Sequence, residues 1–113
     1  MNTINWTPEL KSEFAKTYLQ AVNAYLRTNF AQAIYFNGEH FDFIANVHEN
    51  SLGDREYVVE TITDYTIGDN WPMDSDGQIV IDDSVIRDMV WCMDCSGWST
   101  FDRINEALEE AEQ

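Results

Sequence analysis

Cys92-Met93-Asp94-Cys95 is the first place to look for chemistry, because a CxxC spacing can bring two thiols to each other or to a metal. Redox pairs of this type sit at a helix N-terminus, where the dipole favours the thiolate. Here the pair falls at the C-terminal end of an expected helix, and Asp94 adds negative charge, so a thiolate is disfavoured. Structural zinc needs four ligands, and CxxC supplies two. The only histidines are His40 and His48. Eight residues apart on one strand, their Cα atoms lie ~26 Å apart and cannot share a metal unless the strand bends. One His with an Asp could still complete a site. The expectation is two small, mostly buried thiols in a corner between helices.

Asp74-Ser75-Asp76-Gly77-Gln78-Ile79 echoes part of a calcium loop. With Gly77 at loop position 6, Asp74 and Asp76 fall at ligand positions 3 and 5, and Asp83 at position 12, where Glu is usual. Position 1 is Pro72, which has no side-chain oxygen, and the flanks do not read as a helix pair. The segment reads as a solvated turn. Ser96, Ser99 and His48 have no spacing that implies a shared site. There is no GxGxxG and no P-loop. No catalytic residue, metal ligand or cofactor is assigned, and a non-enzyme is expected.

These residues act only where the fold places them. Residues 7–28 predict a helix, with Thr7 as N-cap and Pro8 at the first helical position. Leu10, Phe14, Tyr18, Val22 and Tyr25 form one apolar stripe, and Trp6 is placed to staple onto the first turn. Residues 30–36 fit either a helix or a strand, ended by the turn signal Asn37-Gly38. Residues 40–48 alternate as a strand, apart from Ile44. Residues 49–54 suit a hairpin loop, and 55–67 read as a second strand. A loop over 68–77 and a short strand over 78–81 follow.

Asp82 or Asp83 is expected to cap a helix that turns Val85, Ile86, Met89, Val90 and Met93 inward, with Ser96-Gly97 as its end. Ser99 then caps a last helix, with Asp102 completing an approximate capping box. Phe101, Ile104, Leu108 and Ala111 share the inner stripe of that helix. Its other face carries Asp102, Glu106, Glu109 and Glu110. The order is an N-terminal helix, an antiparallel β-hairpin or small sheet, then two C-terminal helices. That is an α+β domain spanning 1–113.

Composition narrows the function classes. With 44% hydrophobic and 13% aromatic residues, the chain has material for a core, unlike a disordered acidic tail. No stretch approaches the ~18 consecutive apolar residues of a membrane span. The N-terminus has neither the basic start nor the apolar run of a secretory signal. Two cysteines are too few for a disulfide scaffold, so a cytoplasmic setting is expected.

Charge is the outlying property. Six basic residues against 21 acidic leave −15, where ~2–8 is the usual magnitude for a small domain. In residues 1–36, Glu9 and Glu13 against Lys11, Lys16 and Arg27 leave +1. In residues 37–113, 19 acids against Arg55, Arg87 and Arg103 leave −16. An acidic surface repels phosphates, so direct nucleic-acid binding is not expected, whereas a basic partner is.

Spread evenly over roughly 6,400 Å², the net charge gives one unit per ~430 Å². Duplex DNA, taken as a ~10 Å radius cylinder, carries one per ~110 Å². If the 19 acids of residues 37–113 filled half the surface, they would reach one per ~170 Å². Imitating a polyanion therefore requires clustering, which the segmental asymmetry favours.

In size and charge the chain resembles phage and plasmid proteins that disarm host DNA-binding enzymes: Ocr-like antirestriction proteins, some anti-CRISPR proteins and uracil-DNA glycosylase inhibitors. No motif aligns with them, so no functional residue is carried over. The resemblance implies an inhibitor that docks its acidic face into the basic groove of a nucleic-acid-binding protein or enzyme. The candidate contacts are Asp74, Asp76, Asp82, Asp83, Asp88, Asp102, Glu106, Glu109 and Glu110. The alternative expectation is a generic interaction module or homodimeric adaptor that uses exposed aromatics such as Trp71 or Trp98.

Overall fold

The computed structural model describes residues 3–30, 32–45, 57–62, 72–95 and 99–111. In chain order these form α1 (Pro8–Thr28), β1 (Gln32–Phe36), β2 (Phe41–Ala45), β3 (Tyr57–Ile62), α2 (Asp83–Cys95) and α3 (Thr100–Ala111), the α+β arrangement expected from the sequence.

Helix α1 starts and stops on local chemistry. The Thr7 hydroxyl accepts the Leu10 N–H at 3.2 Å, and Pro8 opens the first turn. Asn29 ends the helix in the left-handed region at φ 60°, where Asn is tolerated, and its N–H reaches the Tyr25 carbonyl at 2.7 Å. Phe14 and Val22 of the expected stripe are buried, and Leu10, Tyr18 and Tyr25 are half-buried. Ala15, Leu19, Ala21 and Ala24 are buried as well, because α1 is covered by the sheet and by α2.

The segment that fitted helix or strand is a strand. Strand β1 pairs antiparallel with both neighbours, in the order β2-β1-β3. The β1–β2 turn is built by Asn37, whose side-chain oxygen accepts the N–H groups of Glu39 and His40, with Gly38 at φ 104°. This corrects the expected hairpin between 40–48 and 55–67: β2 and β3 lie on opposite edges of β1. The physical reason lies in β1 itself. Gln32, Ala33 and Ile34 are consecutive and all buried, so both faces of β1 are covered, as suits a central strand. The proposed loop over 49–54 lies outside the described residues.

The expected strand at 78–81 is a single bridge, Met73 to Ile79. It closes a turn in which the Asp74 carboxylate accepts the N–H groups of Asp76 and Gln78, at 2.9 and 3.0 Å. Ile79 is buried, yet no ladder satisfies its backbone. The Asn23 side chain does so instead: its oxygen accepts the Ile79 N–H at 2.7 Å and its NH₂ donates to the Ile79 carbonyl at 3.0 Å. Asn105 of α3 holds Ile4 in the same way, at 2.7 and 2.9 Å.

Helix α2 buries Val85, Met89 and Met93 and half-buries Ile86 and Val90, as the periodicity predicts. Helix α3 buries Phe101, Ile104 and Leu108. Ser99 caps it, accepting the Phe101 N–H at 3.3 Å. Trp6, placed by the sequence to staple onto the first turn of α1, packs on Phe14 in the second turn. Its ring meets Phe14 at 5.7 Å, stacks on Phe41 at 5.5 Å and meets Phe101 at 4.6 Å, while its indole N–H donates to the Phe101 carbonyl.

Asp82 is the N-cap of α2, accepting the Val85 N–H at 2.9 Å and the Ser84 hydroxyl at 2.8 Å. The Val85 bond, then the Ser84 bond, hold its carboxyl below the ordinary carboxylate pKa. A folded-state pKa below the unfolded one stabilises the fold above the unfolded value, and this is lost as pH falls through the folded value. Asp82→Ala should therefore lower the Tm at pH 7, and its gap from the parent should shrink below about pH 4. Thermal melts from pH 7 to pH 2 check this; a constant gap contradicts it.

Candidate functional site

All nine carboxylates singled out by the sequence are exposed, but they have different jobs. Asp74 holds its turn and Asp82 caps α2, so both are spent on backbone N–H groups. Asp76, Asp83, Asp88, Asp102, Glu106, Glu109 and Glu110 form no ion pair among the described residues. Asp83 and Asp88 lie on α2, which packs against α3.

The densest group is on α3. Asp102, Glu106, Glu109 and Glu110 occupy the face opposite Phe101, Ile104 and Leu108. From Asp102 to Glu110 the helix rises ~12 Å, an average of ~4 Å between successive charges. One strand of duplex DNA carries a charge per ~3.4 Å of axis. Arg103 is also exposed on this helix and dilutes the face by one unit. Helix α3 has no basic residue in its last turn, so Glu109 and Glu110 oppose the helix dipole without local compensation.

Other charges serve the fold. Lys11 reaches Asp94 at 3.0 Å and lies 5.1 Å from the centre of the Phe101 ring. One oxygen of Glu13 accepts the Phe41 N–H at 2.9 Å and faces His40 Nδ1 at 3.2 Å, which ties β2 to α1.

Cys92 is exposed and free, which corrects the expectation of mostly buried thiols. At ~100° per residue it lies about a quarter turn from the centre of the inward stripe, far enough to leave the core. Cys95 closes α2, and its side chain is not among those described, nor is His48. Among the described residues no three His, Cys, Asp or Glu gather closely enough to hold a metal. No helix among them is long and apolar enough to cross a membrane.

Trp71 and Trp98, the aromatics proposed for an interface, lie outside the described residues. Trp91 was missed and is 66% exposed on the outer face of α2, three residues from Asp88 on one side and Asp94 on the other. The signal for it was present: period 3.6 places residue 91 opposite the stripe of 85, 89 and 93.

Between α1 and α2 runs an open groove of about 740 Å³, lined by Lys11, Glu13 and Lys16 on one wall and by Asp83, Arg87 and Asp94 on the other, over Ile86 and Val90. Comparison with protein-family models, curated proteins and solved structures finds no match.

Proposed function

We propose that the chain is a protein-binding inhibitor that imitates duplex DNA, of phage or plasmid type, and occupies the basic groove of a host nucleic-acid enzyme, as antirestriction and anti-CRISPR proteins do. The observation that carries this reading is the α3 face. Its four carboxylates are exposed, free of ion pairs among the described residues, and spaced on the scale of phosphates along a DNA strand. Their self-repulsion costs stability, and Glu109 and Glu110 also oppose the helix dipole; only Asp102, in the first turn, is favoured by it. Complementary fields of this kind steer encounter with a basic partner and reject acidic ones. The test is displacement: the chain, immobilised, captures its enzyme from nuclease-treated lysate, and DNA must compete for the captured enzyme.

Trp91 favours a second reading, an interaction module held by an apolar contact. Exposed Trp is enriched at binding hot spots. Capture that resists high salt but fails in Trp91→Ala would select it.

A further inference from the structure

Three of the six cations of this acidic chain, Lys11, Lys16 and Arg87, line one groove between α1 and α2. Glu13, Asp83 and Asp94 line it too, so the groove is locally neutral on a molecule of net charge −15. Two ties set the helices antiparallel: Lys11 to Asp94 at one end, and Asn23 to Ile79 at the other. From Lys11 to Lys16 is ~7.5 Å along α1, and from Asp94 back to Arg87 is ~10.5 Å along α2. Lys16 and Arg87 therefore stand at a similar level, on opposite walls.

Most of the other charges in the groove are occupied. Lys11 pairs with Asp94. Glu13 gives an oxygen to Phe41 and His40. Lys16 and Arg87 are exposed and form no ion pair among the described residues. Asp83, one turn before Arg87, pairs with neither. Two like charges thus share a groove whose floor, Ile86 and Val90, is half-buried and apolar.

We propose that this groove binds an oxyanion, phosphate or carboxylate, carried on a small apolar group. Arg87 offers a fork that fits either anion, and Lys16 adds a point charge from the facing wall. The apolar part lies on Ile86 and Val90. The net charge does not forbid this, because acids beyond the ~8 Å Debye length at physiological ionic strength are largely screened. The site is independent of the acidic-face reading: no α3 carboxylate lines it.

The test is an NMR titration of the ¹⁵N-labelled chain at 150 mM NaCl with inorganic phosphate, phenyl phosphate and benzoate. Saturable shifts are expected at the Arg87 Nε and in residues 12–16 and 86–90. Phenyl phosphate should bind several-fold more tightly than inorganic phosphate. The better of phenyl phosphate and benzoate identifies the anion. Lys16→Gln with Arg87→Gln should weaken binding roughly tenfold or more, since each removes a charge-assisted contact. Asp83→Asn should strengthen it by removing a competing carboxylate. Arg27→Gln, on the exposed surface outside the groove, should change nothing. Binding of none of the three probes, shifts of equal size at Arg27 and Arg103, or unchanged affinity in the double variant would mean an adventitious ion only and overturn the proposal.

Discussion

Phe14→Ala should cost ~3–5 kcal/mol, the range for truncating a fully buried Phe. A domain of this size holds ~5–15 kcal/mol in total, so the variant should lose a large share of its stability. At roughly 4 °C per kcal/mol the Tm should drop by ~12–20 °C. Phe14 is 1% exposed and meets four rings: Phe41 at 5.4 Å, Trp6 at 5.7 Å, Phe101 at 6.1 Å and Tyr18 at 6.3 Å. It therefore joins α1 to β2, to α3 and to the segment before α1. A cavity there has rings on several sides, and rings relax poorly into a void. Phe30→Ala, at 49% exposure, should cost far less. Urea unfolding followed by circular dichroism measures both; equal losses would mean the aromatic cluster is not the centre of the core.

Neutralising the α3 face should separate binding from folding. Converting Asp102 to Asn and Glu106, Glu109 and Glu110 to Gln together should slow association ~10–100-fold at low salt, because clustered charge acts mainly on encounter rate. Each single change should do little, as an exposed charge pair is worth ~0–1 kcal/mol. Stability should change little, since Glu109 and Glu110 oppose the dipole of α3 while Asp102, in its first turn, is favoured by it. Glu9→Gln with Glu39→Gln is the control, two exposed acids that do not belong to α3. Glu13 would be a poor control, because it accepts the Phe41 N–H and its loss would disturb β2. Stopped-flow association and thermal melts of the same variants read the two effects separately. Equal slowing by both sets would show that net charge alone matters.

The parts of this molecule that are local in sequence are the parts legible in it. Thr7, Asp82 and Ser99 announce their helices because a cap bonds residues two or three positions away. The stripes of α2 and α3 follow from period 3.6, and so does the exposure of the acids opposite them. What could not be read is long-range. The sheet order depends on which strand is covered on both faces, and alternation within a strand does not reveal that. Asn23 and Asn105 look like ordinary polar helix residues. Their work is done on Ile79 and Ile4, 56 and 101 positions away. For the candidate site, the sequence identified exposed acids but not their division of labour. Asp74 and Asp82 belong to the backbone, and the α3 four are left over.

That surplus is the centre of the functional account, and competition with DNA tests it most directly. The captured enzyme is bound to a fluorescent duplex, and the chain is added at 50, 150 and 500 mM NaCl. The account predicts that the chain releases the duplex stoichiometrically at low salt, that its own affinity falls steeply as salt rises, and that the α3 variant releases it poorly. Simultaneous binding of chain and duplex to the enzyme, or an affinity unchanged across the three salt concentrations, would contradict it.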